Sequence, residues 1–274
     1  MPATNSTIEI LEQWLYGRAK RTQEEYLRDA EAALRFLGDR PLESLTLSDL
    51  QRYQAHLVEV RHLKHSSVRR KIAALRSLLR FAQEQGHIDR NPATALRSPK
   101  DTSSIHERIL SRAQVAAIIA AAPEGKAHAA LRLLYASGAR ASELCGLLWQ
   151  DCLPQANGGV VVRLLGKGQK WRSVTVSAAV WEEVAALRSG VPDGSSVFGL
   201  NRRQLHDLFK AAAIAADCPH SSCHWARHSL ATHLIEAGMP LAAVRDLLGH
   251  ASIATTNSYV HSNPNQSASD YLSL

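Results

Sequence analysis

Six residues in the second half of the chain have the types and surroundings to handle an anion. In "YASGARASELCGL", residues 135–147, Arg140 follows Gly138 at an expected helix start, with Glu143 placed to cap that helix or to pair with the arginine. An arginine beside exposed backbone N–H groups makes an anion site, although an ordinary surface arginine fits the same letters. In "CHWARHSLATHLIEAG", residues 223–238, His224 and Arg227 stand three apart on one helix face, so both reach the same small anion. Lys167 lies between two glycines of "GVVVRLLGKGQKWRSVTV", residues 159–176, where a turn can carry it into a ligand or simply expose it. In "LLGHASIATTNSYVH", residues 247–261, an apolar run stops at Gly249, His250 follows, and Tyr259 comes nine residues later. Taken alone, that pair also reads as a helix-terminal cation and a core aromatic.

A metal reading is weaker. His228 stands four residues after His224, but the H-E-x-x-H pattern needs a glutamate where Trp225 is, so no metal is expected and His228 and His233 read as structural. The four cysteines, Cys145, Cys152, Cys218 and Cys223, show no C-x-x-C spacing and read as buried thiols.

The elements that must position these residues follow from periodicity and breakers. Residues 1–96 read as a bundle of four helices, at about 6–16, 22–37, 48–60 and 66–85, the third opened by a Ser48-x-x-Gln51 capping box. In the fourth, Ile72, Leu75 and Leu79 form an apolar stripe, while Arg69, Arg76 and Arg80 share another face that either grips phosphates or is merely solvated. Residues 97–108, "RSPKDTSSIHER", are polar and aperiodic and read as a linker. Residues 109–274 then give a helix capped by Ser111, helices at about 124–136 and 142–149, the 159–176 hairpin, and helices at about 178–188, 202–216, 224–237, 241–248 and 252–261. The expected fold is mainly α with a small β-sheet: a helical bundle followed by a mixed α+β domain.

Bulk properties narrow the function. With 274 residues and 45% hydrophobic content, the chain is long enough to bury real cores. No stretch approaches a membrane span and the start lacks a secretory signal, so a cytoplasmic protein is expected. The net charge is +7, and the first hundred residues are the more basic part, with 17 Lys and Arg against 12 Asp and Glu. That balance suits a polyanionic partner.

Taken in order, Arg140, Lys167, His224, Arg227, His250 and Tyr259 resemble the tyrosine recombinase, or phage integrase, family of the simple two-domain type. The pieces that carry the resemblance are "SGARASELCGL", "LLGKGQKWRSVTV", "HWARHSLATHLIEAG" and "LLGHASIATTNSYVH". Ala139 and Ala226 depart from it, standing where the family usually has larger apolar residues. The resemblance implies a site-specific recombinase that works as a homo-tetramer on paired double-stranded DNA sites through a Holliday junction. It implies that the N-terminal bundle is the core-DNA-binding domain, with Arg69, Arg76 and Arg80 as candidate DNA contacts, and leaves no room for an arm-site-binding domain. It makes Tyr259 the nucleophile of a 3′-phosphotyrosine intermediate. Arg140 and Arg227 then hold the non-bridging oxygens, His224 takes a proton or holds the phosphate, His250 donates a hydrogen bond, and Lys167 protonates the leaving oxygen. No cofactor or metal follows from this scheme. The alternatives are a type IB-like topoisomerase and a catalytically inactive DNA-binding regulator.

Overall fold

A computed structural model of the protein describes residues 5–99, 109–166 and 168–249. The chain divides into two compact units, Met1–Ser103 and Ser104–Leu274, each with its own apolar core.

In the first unit, α1 (Asn5–Leu15), α2 (Lys20–Phe36), α3 (Leu47–Ala55) and α4 (His65–Glu84) bury one face each. Val68, Ile72, Leu75 and Leu79 recur at helical spacing along α4 and are fully buried, so this stripe is what seats α4 among the others. Trp14 of α1 is also buried, and its indole N–H donates to Ser77 Oγ at 3.1 Å, giving the one polar atom of a large apolar side chain a partner. Asp29 of α2 is buried between two cations of α4, Arg70 and Lys71, the latter at 2.8 Å.

The start of α3 differs from the sequence expectation. Its cap is Thr46 with Asp49, not Ser48 with Gln51: Asp49 N donates to Thr46 Oγ1 at 3.3 Å and Thr46 N donates to Asp49 Oδ2 at 3.0 Å. Thr46 is the last extended residue, with φ −112° and ψ 164°, so the cap falls there and Ser48 is left inside the first turn. Arg40 and Arg52 each pair with Asp49 at 2.7 Å and reinforce that choice. After Ala55 the helix continues as a π turn over His56–Val60.

The second unit contains α5 (Arg112–Ala120), α6 (Lys126–Ser137), α7 (Ala141–Cys145), β1 (Cys152–Pro154), β2 (Val160–Leu165), β3 (Trp171–Val176), α8 (Ala178–Ala185), α9 (Arg202–Ala215), α10 (Cys223–Glu236) and α11 (Leu241–Leu248). The Ser111 cap is present: its hydroxyl accepts from Gln114 N at 3.1 Å. The hairpin pairs Val160 with Val176 through Leu165 with Trp171. Val160, Val162, Leu164, Val174 and Val176 face the core, while Arg163, Leu165 and Trp171 face outward, the alternation a half-buried sheet requires.

Two expectations are corrected here. The helix read at 142–149 stops at Cys145, and a 3₁₀ turn at Trp149–Asp151 leads into β1, a third strand antiparallel to β2. Three residues ending in Pro154 are too few to show a period, and proline is tolerated there because β1 is an edge strand. Of the cysteines, Cys145 is half-buried, whereas Cys152, Cys218 and Cys223 are buried. Residues 100–108 of the linker, the helix read at 252–261 and the tail lie outside the described residues, as do Lys167, His250 and Tyr259. Among the described residues no helix is long and apolar enough to cross a membrane.

Candidate active site

Arg140 owes its place to the end of α6. Gly138 closes that helix in the left-handed conformation at φ 57°, and the chain then turns so that Arg140 opens α7. A Cβ on Gly138 would stand 2.7 Å from Leu248 Cδ2 and 2.9 Å from Leu230 Cδ2, so glycine suits the left-handed turn and any side chain there would push the ends of these leucines of α10 and α11 aside. Substituting Gly138 by alanine is expected to lower the unfolding free energy by about 1–2 kcal/mol for the left-handed backbone alone. The site should be disturbed as well, because the Gly138 carbonyl accepts from both Arg172 and Arg227. Urea unfolding checks the stability, and an unchanged midpoint would contradict the packing described.

One N–H of the helix start beside Arg140 is already taken. Glu143, buried at the base of α7, accepts the Arg140 backbone N–H at 2.8 Å and pairs with Arg140 Nη1 at 2.6 Å, so that N–H is already committed to a carboxylate. What Arg140 itself can offer an anion is therefore the part of its guanidinium that Glu143 does not hold. Burial pushes the Glu143 carboxyl up, but the Arg140 N–H and the charges and hydrogen bonds of Arg172 and Arg140 outweigh it and hold the carboxyl below its ordinary value.

α10 supplies the second cluster. His224 is exposed on its first turn, and Arg227, one turn further, is buried. His224 and His228 meet edge to face at 4.1 Å between ring centroids. Arg227 donates through Nη1 to the Gly138 carbonyl and through Nη2 to the Leu248 carbonyl. Such a buried guanidinium is fixed before any ligand arrives, which is what preorganised stabilisation of a developing negative charge needs. Further along α10, His233 Nδ1 lies 2.6 Å from Tyr135 Oη, and burial holds this imidazole below its usual pKa, in keeping with a structural role.

Arg140, His224 and Arg227 line one cavity of about 250 Å³. Arg202 and His206, one turn apart on α9, line it too, and sequence reasoning passed over both. Their i, i+4 spacing on a basic helix was the signal available. Cys223 also borders the cavity, but burial pushes its thiol up to about 12, which leaves it no thiolate to act as a nucleophile. Among the described residues no group of three or more His, Cys, Asp or Glu stands together to hold a metal.

The hairpin and the end of α11 converge on the same place. Gly166, which precedes Lys167, lies so that a Cβ there would be 3.4 Å from Glu143 Oε1 and 4.0 Å from Arg140 Nη1. Arg172 of β3 donates from Nε to the Leu247 carbonyl at 2.8 Å, from Nη2 to the Gly138 carbonyl at 3.3 Å, and pairs through Nη1 with Glu143 at 2.7 Å. Leu248 ends α11, and Gly249 caps it in the left-handed conformation at φ 63°.

In the first unit, Arg69 and Arg80 are exposed on α4. Arg76 differs: it donates to the Leu96 carbonyl and, at 2.9 Å, to Ser98 Oγ, and so ties the end of the unit to α4. Arg76 and Arg80 line a polar recess of about 430 Å³ with Gln83, Asn91 and Thr94.

A mostly helical unit places two arginines and a histidine around one small cavity, a set of donors whose chemistry suits a phosphate. Residues 108–266 match the Phage integrase family, and residues 15–86 match the Phage integrase, N-terminal SAM-like domain. The chain belongs to the phage integrase family. The tyrosine recombinase XerC of Mycobacterium tuberculosis (strain ATCC 25177 / H37Ra) is 33% identical over 273 residues, covering 89% of each chain. Tyrosine recombinase XerC of Xylella fastidiosa (strain M23) is 33% identical over 261 residues, covering 89% of this chain and 87% of that one. Among solved structures, a lambda integrase dimer bound to a COC′ core site aligns with a TM-score of 0.77 at 20% identity, over 96% of this chain and 97% of that one. A lambda integrase tetramer bound to a Holliday junction gives the same TM-score and identity, over 96% of this chain and 78% of that one. These two likenesses establish the fold.

Proposed function

We propose that this site-specific tyrosine recombinase cuts and rejoins double-stranded DNA through a 3′-phosphotyrosine intermediate, with Tyr259 as nucleophile. The observation that carries the reading is the convergence of Arg140, His224 and Arg227 on one cavity, beside the hairpin that bears Lys167 and the helix end that leads to His250. As the phenolate attacks, negative charge gathers on the two non-bridging oxygens of the phosphate. The guanidinium groups of Arg140 and Arg227 hold that charge as permanently ionised forked donors. His224, exposed at the mouth of the cavity, takes the phenol proton or holds the phosphate, since an imidazole titrates near neutrality. His250 donates to a non-bridging oxygen, and Lys167 protonates the departing 5′-oxygen. Arg202 adds a further cation to the cavity lining and His206 a further ring nitrogen, both available to the adjoining phosphate.

The same reading assigns DNA gripping to the basic first unit, with Arg69 and Arg80 as its contacts; Arg76 contributes through its hold on residues 96–98. The working form is a tetramer on two paired sites in the cytoplasm; the lambda integrase tetramer bound to a Holliday junction supports the tetramer by analogy.

A plasmid carrying two target sites tests this reading. Recombinant products are expected, undiminished in EDTA, because the arginines supply the charge that a metal would otherwise provide. Relaxed circles without recombinants, or cleavage lost in EDTA and restored by magnesium, would contradict it.

A further inference from the structure

One side chain outside the six joins every part of the site. Arg172 lies on β3, five residues beyond Lys167, and is only 10% exposed. Its guanidinium has three directed partners on two other segments. Through Glu143 it reaches Arg140, because the same carboxylate accepts from Arg172 at 2.7 Å and from Arg140 at 2.6 Å. Through the Gly138 carbonyl it shares an acceptor with Arg227. Through the Leu247 carbonyl, at 2.8 Å, it holds the last turn of α11, three residues before His250. The end of α11 also approaches the Arg172 stem closely: a Cβ on Gly249 would fall 2.9 Å from Arg172 Cδ.

We infer that Arg172 is a positioning residue for the recombination reaction: its guanidinium sets the register of the Lys167 hairpin and of the α11 end against the Arg140–Glu143 pair. The inference rests on the assignment of Arg140, Lys167, Arg227 and His250 above. A planar fork satisfies three acceptors in fixed directions, whereas a lysine ammonium in the same place is a single point with a shorter reach. Misplacing a catalytic group by about 1 Å costs on the order of 100-fold in rate, so losing the fork should appear in the chemical step rather than in binding.

The test uses the full chain and a nicked target duplex that traps the covalent complex, reading DNA affinity and single-turnover cleavage separately. Arg172→Lys and Arg172→Gln should both bind DNA within about threefold of the parent and cleave about 100-fold more slowly, the retained charge of lysine giving no rescue. In a Glu143→Gln background, Arg172→Gln should cost less than about threefold more, since the two residues act through one another. A residue needed only for folding would instead lower affinity and rate together and shift the urea midpoint. The inference is overturned if both folded variants cleave at the parental rate, if affinity and rate fall in parallel, if the Glu143 and Arg172 effects multiply, or if both variants are unfolded at assay temperature. Arg140→Ala serves as the control. If it cleaves normally the assignment of the site itself is wrong, whereas a slow Arg140→Ala beside a normal Arg172→Gln removes the positioning role alone.

Discussion

Replacing Tyr259 by phenylalanine should leave target-DNA binding within about twofold of the parent while eliminating the covalent protein–DNA complex. The substitution removes one oxygen and keeps the ring, so whatever packing the aromatic provides survives. What disappears is the nucleophile. A phenolate, with a solution pKa of about 10, both attacks a phosphodiester and later leaves it, so the bond energy is stored in the intermediate rather than lost to water. The Cys223 thiol at the cavity does not take over the role: burial pushes it up to about 12, so it remains protonated near neutrality. A denaturing gel after incubation with nicked target DNA reads the adduct directly. An adduct of normal yield in the variant would remove Tyr259 from the role.

Lys167→Ala should be severely slow on ordinary DNA and close to normal on a strand whose scissile 5′-bridging oxygen is replaced by sulfur. An alkoxide is too basic to depart unaided, and a proton delivered from an ammonium makes its departure possible. A thiolate leaves with little or no such help. Arg140→Ala and Arg227→Ala should show no comparable recovery, because the charge they hold sits on the non-bridging oxygens in either substrate; each loss should cost about 3 kcal/mol, or 10²–10³ in rate. If Lys167→Ala is equally slow on both strands, the lysine positions the phosphate or the hairpin, and the proton comes from Lys170, His224 or His250. The position of Gly166 beside Glu143 and Arg140 favours the first outcome, since it carries the hairpin's turn to the edge of the site.

The parts of this architecture that the sequence made legible are those governed by local rules. The Ile72, Leu75, Leu79 stripe, the Ser111 cap, the glycine-bearing hairpin and the glycine-ended helix before His250 each rest on a few neighbouring residues, and each has that form in the fold. The parts that escaped depend on distant segments. Nothing near Arg172 announces that its partners are Gly138, Glu143 and Leu247, and nothing near Arg202 announces a cavity shared with Arg140. Arg76 carries the same letters as a phosphate contact but spends two donors on Leu96 and Ser98. The α3 cap shows a local ambiguity: Thr46–Asp49 and Ser48–Gln51 both fit the pattern, and the extended backbone at Thr46, with Arg40 behind Asp49, selects the first. The thiol at Cys145 escaped because its exposure depends on where α7 stops.

The role of Tyr259 is tested by trapping the covalent complex on a nicked target duplex, digesting it, and identifying by mass spectrometry the peptide and the DNA end that are joined. The expected link is a phosphodiester between Tyr259 and the 3′-phosphate of the cleaved strand, with a free 5′-hydroxyl opposite and the same yield in EDTA. A link to any other residue, a 5′-phosphate attached to the protein, or cleavage that leaves no protein on the DNA would contradict it.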